Sequence, residues 1–395
     1  MKKILLITHS ANITGGAEDD FQRIISYLCD TKKYSIHILC PHGYRYEVYS
    51  ESADEIYDYR MGWFPVVKTN VKAYFRYAIS GLAQIVEIRK KIGDTKYDVV
   101  VVNVSVLLFP QLYFWVKRMK SVVFIRETIT PVMLRKYYLK ILAKISNYFI
   151  GVSEFNANDY ISITSKSNVD MLYSSIENET ERIIDSEFDF KVNLSEKIVS
   201  ELYNNLNFKI LLNGNICERK NQLLALRSLD YIVNRLNVHD VKFFFVGDTD
   251  SDQKYYDILK DYVTLKKLNK YVYFLGALKK TTIYKIYESI QLTIITSLSE
   301  GLPLVLVESL AYKKPVISTN VGGIKEILID GVNGFLLEDF EYITLSNAIL
   351  KMKNNKHEYD AMSISSYETY IKSFDLKSNL NKFEKILDSV ATLVI

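Results

Sequence analysis

The sequence predicts an α/β protein built as two similar units, each with a parallel sheet covered by helices. Three observations carry that reading. Short apolar runs alternate with longer stretches whose apolar positions recur every three or four residues. The short runs are continuously apolar, as in strands buried on both faces. The alternation falters once, between about Ser174 and Asn207, and then restarts. At 395 residues the chain is long for one domain and comfortable for two.

The elements follow in order. "KILLITH" reads as a first strand and "AEDDFQRIISYLCD" as a helix. "YSIHILC" is a second strand, and "YFRYAISGLAQIVEIRKKI" is a helix with Gly81 a weak spot inside it. "YDVVVVNV", "KSVVFIRE" and "YFIGVS" are further strands, with a long helix from about Met133. The polar, acidic stretch "SSIENETERIIDSEFDFKVNLSEK" makes an interdomain connection. Beyond it come "FKILLNG", a helix from Asn221 through Val233, "VKFFFVGD", "VYFLG", "LTIITS" and "KPVIST". The boundaries predicted are 1–175, a connection at 176–205, a second unit at 206–365 and a helical segment at 366–395.

Composition narrows the function. Fifty Lys and Arg against 46 Asp and Glu give a net charge of +4, which argues against general nucleic-acid binding. Three cysteines, Cys29, Cys40 and Cys217, lack metal-type spacing and suggest a reducing, cytoplasmic setting. "MKKILLITHS" lacks a signal-peptide core and cleavage site. The uncharged run from Val99 to Val116 contains Asn103, Ser105, Pro110 and Gln111. It reads as a buried strand, a turn at Pro110 and the start of a helix, not as a membrane span.

Ligands in open α/β sheets bind beyond the carboxyl ends of the strands, so the loops there hold the candidates. In "LLNGNICERKNQLLAL" a strand leads through Gly214 to a helix beginning near Lys220, offering backbone N–H groups with Arg219 and Lys220 to a phosphate. An ordinary helix start with solvated basic residues is the plain alternative. Gly15 and Gly16 lie between the first strand and helix, where paired glycines permit close backbone approach, but "HSANITGGAEDD" is not a dinucleotide fingerprint. In "LTIITSLSEGLPLVLVESL", Glu300 projects from a loop and Glu308 from the following helix. Carboxylates accept sugar hydroxyls, and unpaired ones are costly among such apolar neighbours.

These residues resemble the retaining glycosyltransferases of family 4, with two Rossmann-like domains facing each other across a cleft in the GT-B architecture. The E-x7-E pattern of that family is matched by Glu300 and Glu308, followed by the Pro-Val strand, Gly322, Gly323, Glu326 and "DGVNG". "FFFVGD", "VYFLG", "LLNGNICERKNQ", "GGAEDDFQRI", "GVSEFNAND" and "LYSSI" fall in the family's order. The resemblance implies an acceptor-binding first domain and a nucleotide-sugar-binding second one. It implies that Glu308 binds the nucleotide ribose, Glu300 the donor-sugar hydroxyls, and Lys220 the leaving diphosphate, with Glu300 and Lys220 the catalytic pair. Gly16 and the backbone at Gly301, Leu302, Pro303 and Leu304 would approach the phosphates and sugar.

Two positions depart from the pattern. Asn215 stands where many members have an arginine, leaving Arg219 to compensate or Lys220 to act alone. Arg126 and Glu127 occupy the loop where many have a histidine, as candidate sugar or acceptor contacts. No cofactor or metal is expected.

The reaction implied is transfer of a hexose or N-acetylhexosamine, from a UDP-sugar by preference, to a glycan or lipid-linked acceptor in bacterial surface polysaccharide synthesis. Lys136, Lys140 and Lys144, beside Arg135, recur at four-residue spacing with Leu134, Tyr138, Ile141, Ile145 and Phe149 as apolar positions. That pattern suits an anionic surface at the inner face of the membrane, or simply a solvated face over a core. The alternatives are a non-catalytic nucleotide-sugar-binding subunit and another nucleotide-sugar-modifying Rossmann enzyme. The Tyr-x-x-x-Lys spacing of the latter occurs at Tyr256 and Tyr262, away from any dinucleotide-like turn.

Overall fold

The computed structural model describes residues 1–10, 16–59, 62, 64, 71–129, 131–174, 176 and 194–393. Two compact units emerge, one formed by Met1–Ser174 with Leu376–Ile395 and the other by Ser175–Asp375. Gly15 and residues 177–193, most of the predicted connection, lie outside the described residues.

Among the described residues the first unit holds seven strands: β1 (Lys2–Ile7), β2 (Tyr34–Cys40), β3 (Glu55–Asp58), β4 (Val99–Val102), β5 (Ser121–Ile125), β6 (Tyr148–Gly151) and β7 (Val169–Met171). They form one parallel sheet in the order β3-β2-β1-β4-β5-β6-β7. Its helices are α1 (Gly16–Thr31), α2 (Tyr44–Ser50), α3 (Val71–Ile92), α4 (Leu108–Val116), α5 (Val132–Ile145) and α6 (Glu154–Thr164). Alternate residues of β1 point to opposite faces. Leu5 and Ile7 join the core under α3 to α6, whereas Ile4 and Leu6 join the core under α1.

The second unit contains α7 (Glu196–Tyr203), β8 (Phe208–Asn213), α8 (Gln222–Asp230), β9 (Val241–Val246), α9 (Gln253–Leu265), β10 (Val272–Gly276), α10 (Lys280–Ser289) and β11 (Leu292–Ile295). It continues with α11 (Leu304–Ala311), β12 (Val316–Thr319), β13 (Gly334–Leu337), α12 (Tyr342–Asn354) and α13 (Lys356–Ser373). The strands make a parallel sheet ordered β10-β9-β8-β11-β12-β13. One face buries Ile210, Leu212, Phe243 and Phe245 under α8, α9, α12 and α13.

The last helix, α14 (Leu376–Thr392), belongs to the first unit. Phe383, Ile386, Leu387 and Val390 pack on the α1 side of the sheet, with the Phe383 ring 5.7 Å from that of Phe124. Lys33 pairs with Glu384 and Lys2 with Asp388, each at 2.7 Å.

Four local expectations need correction. Pro110 does not make a turn: it sits in the first turn of α4, where its missing N–H would have had no helical partner. The basic segment at 218–220 is a 3-10 turn, and α8 starts only at Gln222, after Asn221 in the left-handed region. Phe149 lies on β6, not on the basic helix, which ends at Ile145. On that helix Tyr138 and Ile145 are buried while Ile141 faces solvent. Among the described residues, no helix is long and apolar enough to cross a membrane.

Gly81 marks a tight crossing of α3 and α4. A Cβ there would stand 2.0 Å from the Phe109 ring. Relieving that clash costs about 1–3 kcal/mol, against a gain of about 1 kcal/mol in helix propensity. Gly81→Ala is therefore expected to lower the thermal unfolding midpoint despite favouring the helix. An unchanged or higher midpoint would show that Phe109 swings aside freely.

Candidate active site

The second unit gathers most of the predicted site residues around two buried carboxylates. Strand β11 ends at Ile295, and the chain runs through Ser297 and Glu300 to the Gly301-Leu302-Pro303 corner that starts α11. Residues Gly301 to Leu310 are all buried. Glu300 keeps 9% of its surface exposed and Glu308 only 1%, so each charge must find compensation inside the protein.

Glu300 does not project freely from its loop. Lys220 Nζ donates to Oε1 at 2.6 Å, Ser297 Oγ donates to the same oxygen at 2.7 Å, and Arg219 Nη1 donates to Oε2 at 3.2 Å. Burial pushes the Glu300 carboxyl up, but the Lys220 and Arg219 charges with the Lys220 and Ser297 hydrogen bonds outweigh it, holding the pKa at about 2. Arg219 Nη1 also donates to the Ser299 carbonyl, and Thr296 Oγ1 to the Lys220 carbonyl. The 3-10 turn is thus fastened to the Glu300 loop at several points.

Glu308 sits one helical turn into α11. It pairs with Lys280 at the start of α10, and its Oε2 accepts from Asn213 Nδ2 and from the Tyr287 hydroxyl at 3.2 Å each. Lys280, Asn213, Tyr287 and Ser297 were not singled out from the sequence. Lys280 left a signal, because a lysine in the first turn of a helix opposes the helix dipole and calls for a carboxylate.

The two glycines after β12 secure the corner. Gly322 has φ +59°, and a Cβ on it would stand 1.9 Å from the Glu300 carbonyl oxygen. Gly323 N donates to the Gly301 carbonyl at 2.6 Å. Backbone therefore passes directly against backbone beneath the carboxylate loop.

Between the β8 loop and this segment lies a small pocket lined by Asn213, Gly214, Lys220, Thr296, Ser297 and Val305. Asn215 and Arg219 are exposed at the surface of the same loop.

Gly16, Arg126 and Glu127 belong to the first unit. Gly16 is the exposed first residue of α1. Arg126 is held on every side: Nη2 lies 2.7 Å from Asp20, Nε donates to the carbonyl and side-chain oxygens of Asn103, and Nη1 donates to Ser174 Oγ. Its guanidinium also stands 4.5 Å over the Phe124 ring. Glu127 accepts from Ser105 Oγ at 3.2 Å, and burial raises its pKa against the charges of His9 and Arg126. His9 pairs with Glu18 at 2.9 Å; burial opposes its charge, but Glu18 and Glu127 prevail and raise its pKa.

Residues 196–369, most of the second unit, match the family model described as glycosyl transferases group 1. Over 158 residues, 39% of this chain, it is 30% identical to the uncharacterized glycosyltransferase MJ1178 of Methanocaldococcus jannaschii. Over 198 residues, 50% of this chain, it is 26% identical to the UDP-Gal:alpha-D-GlcNAc-diphosphoundecaprenol alpha-1,3-galactosyltransferase of Escherichia coli. The matched stretches span 44% and 49% of those relatives' own lengths. The crystal structure of Anabaena Alr3699/HepE in complex with UDP-glucose is similar at a TM-score of 0.76 and 19% identity, covering 98% of this chain and 100% of that one. The fold is therefore the GT-B architecture of two Rossmann-like domains.

The Glu300 ion pairs tie stability to pH. A carboxyl held below its unfolded pKa of about 4.3 stabilises the fold above that pH and loses the contribution as pH falls toward 2. The contribution at neutral pH is on the order of 3 kcal/mol. Glu300→Gln is expected to be markedly less stable than the parent at pH 7 in denaturant unfolding, with the gap narrowing between about pH 4.3 and 2. A gap independent of pH would assign the loss to packing.

Proposed function

We propose that this protein is a glycosyltransferase moving a hexose or N-acetylhexosamine from a nucleotide-diphosphate sugar to an acceptor hydroxyl, with retention of anomeric configuration. The observation that carries the reading is the pair of buried carboxylates, Glu300 and Glu308. Each is closed by a lysine from a separate segment, the turn after β8 or the start of α10, within the stretch matching glycosyl transferases group 1. Family 4 of the retaining enzymes is the assignment that the E-x7-E spacing supports.

In this reading Glu308 takes the ribose hydroxyls, exchanging its contact with Lys280 for them. Glu300 takes hydroxyls of the donor sugar, and Lys220 turns to the diphosphate. The bond between the anomeric carbon and the β-phosphate oxygen breaks, with its electron pair leaving on phosphate. The acceptor oxygen attacks from the same face, and its proton passes to that phosphate. Lys220 and the backbone amides at Gly301 to Leu304 would stabilise the developing negative charge. Arg219, at the loop surface, supplies the charge that Asn215 lacks, and Gly16, at the start of α1, is a candidate backbone contact for the donor. Glu127, with Arg126 positioning it, would contact sugar or acceptor in the first domain.

A UDP-linked donor is supported by the similar fold solved with UDP-glucose and by the Escherichia coli relative's UDP-Gal. That relative's diphosphoundecaprenol-linked acceptor supports a lipid-linked acceptor here. Work at the cytoplasmic face of a bacterial membrane, in surface polysaccharide synthesis, completes the reading.

Thermal stabilisation across UDP, GDP, ADP and their sugar conjugates tests the donor, since a ligand bound by the native state raises stability by mass action. Stabilisation by UDP and a UDP-sugar is expected, and Glu308→Ala should abolish it at concentrations that stabilise the parent. With an acceptor in hand, Glu300→Ala should lower kcat by about a hundredfold or more while donor KM changes little. A Glu308→Ala enzyme with normal donor KM would overturn the ribose assignment, and an inverted anomer in the product would overturn retention.

A further inference from the structure

We propose that the outward face of α3, continued by α5, docks on an anionic lipid bilayer. This deepens the membrane-side acceptor proposed above, though its geometry is independent of the nucleotide site. Helix α3 carries two apolar faces. Tyr77, Gln84, Ile88 and Ile92 turn inward and are buried. Phe75, Ile79, Leu82 and Val86 turn outward, exposed at 67%, 55%, 63% and 54%. Offsets of four, seven and eleven residues place these four within an arc of about 60°, along roughly 16 Å of helix. Four large apolar side chains in one exposed row mark a contact surface, not scattered surface residues.

Helix α4 lies beside α3, with the Phe109 ring 5.1 Å from that of Tyr77, and joins α5 through Ser146 and Gln111. Near the end of α4, Trp115 and Val116 are half exposed or more. On α5, Met133, Tyr137 and Ile141 are exposed at 70%, 66% and 48%, interleaved with exposed Lys136, Lys140 and Lys144.

Charge selects the occupant. Helix α3 carries five basic residues and α5 four, of which Arg135 is paired with Asp159 and mostly buried, against a single carboxylate within the two helices, Glu87. Lys72 precedes the α3 row, and Arg89 and Lys90 follow it, so cations bracket the apolar stripe. A helix with aliphatic and aromatic residues between cations suits the boundary between acyl chains and anionic headgroups, where it lies flat. A second copy of this chain would bring like charges together, and a nucleic acid would leave the aliphatic row in water.

The test is flotation of the full chain with phosphatidylcholine vesicles, with and without phosphatidylglycerol. Binding is expected to the anionic vesicles at low salt, and to weaken about tenfold or more at high salt or in Lys136→Glu/Lys140→Glu. Phe75→Ser/Leu82→Ser should lose binding similarly while keeping nucleotide-induced thermal stabilisation, which reports that the variant is folded. Absence of flotation at low salt, or equal flotation of both variants, would overturn the proposal. So would a stable dimer in sedimentation that Phe75→Ser/Leu82→Ser separates. A chain that floats but responds to no nucleotide would remove the transferase reading alone.

Discussion

The second unit depends on neutralising two carboxylates in an otherwise apolar segment. Removing a carboxylate from water costs several kcal/mol unless a partner and hydrogen bonds replace the lost hydration. Lys220 and Arg219 come to Glu300 from the turn after β8, and Lys280 comes to Glu308 from the start of α10. Three chain segments far apart in sequence are therefore bound to one another by charge. The Gly322 backbone approach sets how closely the loop lies, and the ion pairs hold it there. Any anion drawn to Lys220 would compete with Glu300 for the same ammonium group.

Much of this was legible. The continuous apolar runs located the central strands because those strands are covered on both faces, and Glu300, Glu308 and Lys220 stood out as charges in apolar or strand-end settings. The edge strands β3 and β7 did not, since "EIYD" and "VDM" carry the polar residues expected at a sheet edge. Lys280 was missed because sequence spacing says little about which helix start comes to lie beside Glu308. Pro110 suggests a turn by its helix-breaking chemistry, but in the first turn of α4 a proline displaces no helical hydrogen bond and is tolerated. On α3 the apolar repeat at three and four residues identified a helix, but periodicity alone does not say which of two apolar faces turns inward.

The first unit meets the same electrostatic problem differently. Arg126 answers Asp20, two oxygens of Asn103 and Ser174, and stacks on Phe124. With only 6% of its side chain exposed, that guanidinium is locked by geometry that no single ligand contact would replace. Lys220 and Lys280 retain 17% and 29% exposure, and Arg219 retains 43%. Their long, flexible stems allow the ammonium groups to change partners without repacking a core. Arg126 is thus a fixed charge whose field also reaches Glu127. The lysines of the second unit combine a compensated resting state with charges that an incoming anion can reach, which is what a site for a phosphate-bearing ligand requires.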